Sequence, residues 1–114
     1  MSRSQPISQV EIESEIMRLM EMLEEETEAF EALATDSAKK EALMKANWAK
    51  EYLSAKGSIR EREAWADYKL SDEAYSFKIS EALVKAKREK LLSLRASLDA
   101  LRTLNANVRV QVNP

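Results

Sequence analysis

Residues 70–109 read LSDEAYSFKISEALVKAKREKLLSLRASLDALRTLNANVR, and their pattern governs the predicted fold. Two ladders run through this stretch at the same seven-residue interval. One is apolar and consists of Leu70, Phe77, Val84, Leu91 and Leu98, and the other is basic and consists of Arg88, Arg95, Arg102 and Arg109. Seven residues are close to two turns of an α-helix, so each ladder forms a nearly straight stripe. The stretch therefore predicts a long helix with an apolar seam beside a row of arginines.

The composition of the whole chain fits a helical protein. Its 114 residues include one glycine and two prolines, and 33% are charged while 45% are hydrophobic. Strands need turns, whereas this balance of residue types is typical of coiled coils and long helices. We predict an all-α fold in which long helices form a helical hairpin or coiled-coil bundle. Because so short a chain has a thin core on its own, we expect it to form oligomers.

The residue types behind most catalytic chemistry are absent. The chain has no cysteine and no histidine, which removes disulfides, thiolate nucleophiles, the commonest general base and the commonest transition-metal ligand. We expect a protein that is not an enzyme and that has no metal site and no cofactor. No apolar run approaches the roughly 18 residues of a membrane span, and a signal peptide is not evident. We therefore expect no membrane contact and a cytoplasmic location, in the host cell if a phage encodes the chain.

The net charge of −2 hides two halves of opposite sign. Residues 1–36 carry two basic and ten acidic side chains, a balance of −8, whereas residues 37–114 carry sixteen basic and ten acidic side chains, a balance of +6. Such asymmetry indicates that the halves pair with each other, within or between chains, or that the basic half has an anionic partner. The glutamate run at 24–26 is either a solvated helix face or a surface that shields the basic half or docks a basic protein.

Cap residues and breakers divide the chain. Ser8 with Glu11 and Ser58 with Glu61 each fit a capping box, which marks a helix start, and Gly57 predicts a break or kink between helices. The N-cap residue types at positions 35–37 predict a further turn. The predicted segments are a disordered N-terminus (1–7), a single helical domain (8–105) made of an acidic helix (8–34), a second helix (37–56) and a long basic helix (58–104), and an extended or disordered tail (106–114).

The predicted long helix needs a partner along its seam. At 1.5 Å per residue it would extend about 70 Å, too far to bury its apolar side inside a monomer of this size. Folding the first helix back covers part of the seam, and self-association would cover the rest. The candidate oligomerisation residues are Leu70, Phe77, Val84, Leu91, Leu94, Leu98 and Leu101.

Residues 39–69 interleave eight basic side chains with four aromatic ones. Such mixtures bind single-stranded nucleic acid, because cations meet phosphates and aromatic faces stack on bases. Alternatively, the aromatic residues form the core of a bundle with the lysines at its rim. The arginine row offers forked donors to phosphate, or it pairs with glutamates of the first helix. The candidate DNA-binding residues are Lys45, Trp48, Lys50, Tyr52, Lys56, Arg60, Arg62, Trp65, Tyr68, Lys85, Arg88, Arg95, Arg102 and Arg109.

The run AKEYLSAKGSIRERE at residues 49–63 precedes a long basic helix with the pairs Leu94-Arg95 and Leu101-Arg102 and the tripeptide Asn107-Val108-Arg109. This layout resembles that of phage recombination mediators of the UvsY type. The resemblance implies a helical oligomer that binds single-stranded DNA, contacts the single-strand-binding protein and helps to load a recombinase.

Two classes of function follow from the sequence. The first is a single-stranded DNA-binding recombination mediator. The second is a structural or adaptor coiled coil that acts through protein contacts, with the charge asymmetry serving helix pairing. An inhibitor that binds a host protein through its acidic helix is a third possibility.

Overall fold

Three helices make up residues 8–112, the part of the chain that the computed structural model describes. They are α1 (Gln9–Ser54), α2 (Ile59–Lys69) and α3 (Ser71–Val112), and no strand occurs among the described residues. The predicted all-α class is confirmed. The predicted disorder of residues 1–7 and the last two residues of the predicted tail lie outside the described range. A search of residues 8–112 finds no helix with the length and apolar character of a membrane span.

Contacts divide the described residues into two compact units, where the sequence predicted one domain. Unit 1 comprises residues 8–28 of α1 and residues 88–112 of α3, and unit 2 comprises residues 29–87. Each unit therefore contains part of α1 and part of α3, and α2 belongs to unit 2.

Unit 1 is an antiparallel helix pair. Glu13 forms an ion pair with Arg109 at 3.4 Å, and Glu26 forms one with Lys90 at 2.9 Å. Glu26 comes after Glu13 in α1, whereas its partner Lys90 comes before Arg109 in α3, so the two helices run in opposite directions. The predicted capping box begins α1, since the Glu11 amide donates to the Ser8 hydroxyl at 3.1 Å. The buried apolar side chains of unit 1 are Ile12, Leu19, Leu91 and Leu98.

Unit 2 is a helical hairpin with a mixed core. Its α1 segment is followed by a turn, by α2 and by the first part of α3. Ala66, Leu70 and Phe77 are buried together with two serines. The hydroxyl oxygens of Ser37 and Ser80 lie 3.0 Å apart, so a polar contact joins α1 to α3 inside the unit.

The predicted turn at residues 34–37 is wrong, because α1 continues through it without interruption. The positions that α1 turns inward keep their spacing of four and three across this region, at Leu33, Ser37, Lys40 and Met44. Ser37 is buried against Ser80 and does not cap a helix. The two predicted helices over 8–34 and 37–56 are therefore one helix.

Gly57 has a φ of 112°, a conformation that residues with a side chain rarely adopt. It follows α1 and precedes the second capping box, in which the Glu61 amide donates to the Ser58 hydroxyl and the Glu61 carboxylate accepts from the Ser58 amide. The predicted break at this position is present in the structure. It reverses the chain between α1 and α2.

The predicted single helix over 58–104 is interrupted at Leu70, where α2 ends and α3 begins. The backbone of Leu70 has φ −101° and ψ 13°, yet its amide still donates to the Ala66 carbonyl and its carbonyl accepts from the Ala74 amide. The interruption adds no residue to the chain, so the seven-residue ladder keeps its phase across it. The regular spacing of the apolar ladder therefore gave no sign that the helix is interrupted at Leu70.

The last helix extends beyond its predicted end at 104 and reaches Val112. Asn105 and Val108 are half-buried at the positions where the apolar pattern of α3 would next place inward-facing residues. Continued contact with α1 in unit 1 stabilises these turns. The predicted tail is thus helical over residues 106–112.

The candidate oligomerisation residues are covered by the chain itself. Leu70, Phe77, Leu91 and Leu98 are at most 7% exposed, and the other members of the set are half-buried. In unit 1 the covering helix is α1, because α1 and α3 are the only helices there. Val84, Leu94 and Leu101 keep part of their surface exposed, so their predicted role in self-association stays a prediction.

We predict that Leu98→Ala lowers the free energy of unfolding by about 2–5 kcal/mol, because it leaves a cavity at a side chain that is 4% exposed. Leu83→Ala is the matched control, since Leu83 is 50% exposed and its truncation should cost less than about 1 kcal/mol. Urea unfolding followed by circular dichroism measures both. Equal losses for the two variants would contradict the assignment of the core.

We predict that Gly57→Ala lowers the free energy of unfolding by about 1–2 kcal/mol, because alanine is strained at this positive φ. The added Cβ would also lie 2.9 Å from a carboxylate oxygen of Glu61, although that flexible side chain has room to move. Thermal unfolding monitored by circular dichroism checks this. A raised melting temperature, which alanine gives where the backbone is unstrained, would show that the turn is built differently.

Candidate nucleic-acid interface

The predicted DNA-binding residues are distributed over both units. Those from Lys45 to Tyr52 lie on α1 in unit 2, Lys56 lies in the turn, and those from Arg60 to Tyr68 lie on α2. Lys85 lies on the α3 segment of unit 2, while the arginine row lies on the α3 segment of unit 1.

Two tryptophans join α1 and α2 by reciprocal hydrogen bonds. The indole N–H of Trp48, on α1, donates to a carboxylate oxygen of Asp67 at 2.9 Å. The indole N–H of Trp65, on α2, donates to a carboxylate oxygen of Glu51 at 3.0 Å. Each helix thus supplies one indole and one carboxylate, which fixes the rings in place. The two carboxylates were not among the predicted site residues, because only the helix pairing shows that they face the indoles.

Trp48 and Tyr52 use their faces within the protein. Their ring centroids are 5.3 Å apart and their planes differ by 12°, which is a stacked arrangement one helical turn apart. The guanidinium of Arg62 lies 5.9 Å from the centre of the Tyr52 ring. The Arg62 Nε atom is buried without a hydrogen-bond partner. The contacts of Trp48, Tyr52 and Arg62 therefore fit the alternative that these side chains pack within the helical bundle.

Trp65 and Tyr68 are more accessible. Trp65 is 43% exposed and Tyr68 is 72% exposed, and their ring centroids lie 6.2 Å apart at a tilt of 45°. The ammonium of Lys69 lies 5.3 Å from the centre of the Trp65 ring, within the range of a cation–π contact. Lys69 was not in the predicted site set, although it closes the basic segment 39–69. The phenol ring of Tyr68 is therefore the most available flat surface in this group.

Two adjoining grooves on the Trp65 side of the hairpin are lined by lysine and glutamate side chains. The first has a volume of about 450 Å³ and includes Lys56, Glu61 and Trp65 in its lining. The second has a volume of about 420 Å³ and includes Lys50, Lys69 and Glu73. Glu51 lines both grooves, so they adjoin at its side chain. We call Lys50, Lys56, Lys69, Trp65 and Tyr68 the lysine-tryptophan surface.

A larger and more apolar groove lies on the Trp48 side of the hairpin and shares Leu70 with the second lysine groove. Its volume is about 620 Å³, and it lies beside the helix interruption at Leu70. Lys45 is the only basic residue in its lining, and that lysine also approaches Glu41 at 3.8 Å. The lining residues are Met44, Lys45, Trp48, Asp67, Leu70, Ser71 and Ala74.

The arginine row of unit 1 has mixed partners. Arg109 pairs with Glu13 of α1, whereas Arg102 approaches only Asp99 of its own helix, at 3.9 Å. Arg95 is exposed and makes no ion pair with another described residue. Arg88 takes part in a further polar or ring contact. Pairing with a glutamate of the first helix, one of the two alternatives for the arginine row, therefore occurs at Arg109. It does not occur at Arg95 or Arg102.

The register of unit 1 explains the difference between these arginines. Because Glu13 faces Arg109 in an antiparallel pair, one seven-residue step places Met20 opposite Arg102. The next step places Thr27 opposite Arg95. Neither side chain carries a charge.

Four exposed glutamates of α1 make no ion pair with the described residues of unit 1. Glu21, Glu24, Glu25 and Glu28 are exposed and form no ion pair with another described residue. Arg18, the nearest cation along this segment, forms hydrogen bonds with Glu15. Those bonds lower the pKa of the Glu15 carboxyl and raise the pKa of the Arg18 guanidinium. Arg18 is thus engaged away from the four glutamates.

The carboxylates of the described residues do not form a metal site, since no three of them cluster closely enough to hold an ion. In comparisons with known proteins, the chain matches no protein-family model, no curated protein and no solved structure.

Proposed function

We propose that the protein binds single-stranded DNA through the lysine-tryptophan surface of unit 2. The observation that supports this most is the pair of adjoining grooves, which bring three exposed lysines and Trp65 to one side of the hairpin. Lysine ammonium groups bind backbone phosphates, and exposed aromatic rings stack on unpaired bases without selecting among them. Tyr68 is the principal stacking ring because most of its side chain is exposed.

The reciprocal tryptophan bonds have a role in this proposal. The bond from Trp65 to Glu51 holds the ring at the rim of the grooves, while the Glu51 carboxylate keeps its negative charge because the indole is a neutral donor. Glu61 and Glu73 still line the grooves. Because three glutamates line the grooves, Glu51, Glu61 and Glu73, and equal the three lysines in number, we expect a weak affinity with a dissociation constant of about 10⁻⁴–10⁻⁶ M, and we expect binding to weaken as salt is raised.

The resemblance to UvsY-type mediators adds the proposed biological role. The chain would be a non-catalytic accessory factor that holds single-stranded DNA while a recombinase is loaded, with the recombinase and the single-strand-binding protein as protein partners. Binding along the backbone without base-specific contacts suits that role, since a loading factor must accept any sequence.

A non-catalytic adaptor is the second candidate function. The apolar groove on the Trp48 side favours it, because a groove of about 620 Å³ beside a helix interruption fits an apolar side chain of a protein partner. Substitutions on the Trp65 side would leave such an adaptor unaffected.

We predict that the triple variant K50A/K56A/K69A lowers affinity for single-stranded DNA about tenfold or more, and lowers the slope of log affinity against log salt by about 2, because three phosphate contacts are lost. The matched control is K39A/K78A/K85A, which removes three exposed lysines of the same unit that lie outside the grooves. Fluorescence anisotropy with labelled single-stranded and duplex oligonucleotides over a salt series measures both.

Tyr68→Ala separates stacking from charge within the same experiment. It should weaken binding by about 1–3 kcal/mol with an unchanged salt slope, whereas Tyr75→Ala, at a tyrosine with a similar 70% exposure, should not. Absence of single-stranded DNA binding by the unaltered protein at low salt would refute the proposal. Equal losses for the groove variant and the control triple would refute the assigned surface.

A further inference from the structure

We propose that unit 1 binds a second copy of the chain through one face of its helix pair, with the exposed arginines of each copy meeting the acidic face of α1 in the other. The face is formed by Met17 and Met20 on α1 and by Arg95 and Arg102 on α3. The acidic face consists of Glu21, Glu24 and Glu28.

These side chains share one side of unit 1. Met17 and Met20 are three positions apart on α1, so they lie on neighbouring turns, and they are 66% and 48% exposed. The register set by Glu13 and Arg109 places Met20 opposite Arg102. The methionines and the arginines therefore adjoin across the groove between the two helices.

The composition of this face is that of a protein interface. Methionine and arginine are enriched where proteins meet, and methionine packs against partners of varied shape. Val10, which is 76% exposed, lies two turns before Met17 and extends the apolar strip towards the start of α1. A surface that only followed a phosphate backbone would have no use for exposed apolar side chains.

Charge identifies the second copy as the occupant. Arg95 has no ion pair with a described residue, and Arg102 has only a distant contact with Asp99. Glu21, Glu24 and Glu28 likewise form no ion pair with a described residue. Glu24 and Glu28 also repel each other, because they are four residues apart on the same helix. Each copy thus carries unpaired cations and unpaired anions on the same unit.

The spacing of the two charge rows also matches. Glu21 and Glu28 are seven residues apart, as are Arg95 and Arg102, so each pair spans about 10.5 Å along its helix. A two-fold axis would place α1 of each copy against α3 of the other, so every contact would occur twice. The apolar ladder of α3 takes no part, because the chain has already buried it.

This interface is independent of the proposed DNA surface, which lies in unit 2. We expect the unaltered protein to form dimers that dissociate as salt is raised. R95E/R102E and E21K/E24K/E28K should each weaken the dimer by about tenfold or more, because like charges would then face each other. An equimolar mixture of the two variants should associate again, since the exchanged charges are complementary.

Sedimentation velocity in about 0.05 M salt, where surface charges are weakly screened, measures these states. Circular dichroism verifies that each variant stays helical. The matched control is K78E/K85E, which makes the same charge change on α3 outside unit 1 and should leave dimerisation unchanged.

A monomeric unaltered protein at about 100 µM would overturn the proposal, as would failure of the two charge-reversed variants to associate with each other. An equal loss of dimer in K78E/K85E would overturn the assignment to unit 1. If one charge-reversed variant loses its helicity, the dimer affinity of the other variant tests the proposal, and an unchanged affinity would overturn it. Dimerisation without DNA binding would leave this inference standing and reject the proposed function alone.

Discussion

The structure depends on the burial of the apolar ladder of α3 by the chain's own helices. In unit 1 the ladder leucines meet isoleucine and leucine of α1, so the pair has an apolar core of the kind that coiled coils use. In unit 2 Ser37 of α1 is buried, and the core there contains a serine-serine contact. This buried polar contact helps to fix the register of α1 against α3 in unit 2.

The polar character of unit 2 leads directly to its candidate site. The tip of the hairpin is joined by two indole–carboxylate hydrogen bonds, in which each helix supplies one donor and one acceptor. These bonds divide the aromatic residues into two groups. Trp48 and Tyr52 stack on each other, while Trp65 and Tyr68 remain accessible beside lysines. The charge asymmetry of the sequence therefore has two structural expressions. One is the lysine-tryptophan surface in unit 2, and the other is the set of exposed glutamates on α1 and exposed arginines, Arg95 and Arg102, on α3 in unit 1.

Local signals in the sequence predicted those features of the fold that depend on neighbouring residues. The helical class, both capping boxes, the glycine turn and the phase of the ladder are of this kind. The uninterrupted course of α1 was not predictable in the same way, because Ser37 is a typical N-cap residue whose buried partner lies 43 residues away. The interruption at Leu70 left no trace in the ladder, since it adds no residue. The site was predictable as a basic and aromatic segment, but the selection of Lys50, Lys56 and Lys69 around Trp65 depends on how α1 and α2 pair.

An engineered disulfide tests whether the chain buries its own apolar ladder. The protein has no cysteine, so the variant S37C/S80C introduces the only two thiols, at side chains that are in contact in unit 2. After mild oxidation, non-reducing electrophoresis and mass measurement under denaturing conditions should show a cross-linked species at the monomer mass of 13.0 kDa with no free thiol. Disulfide-linked dimers as the main product, or thiols that stay free, would show that α3 packs against another chain or in another register.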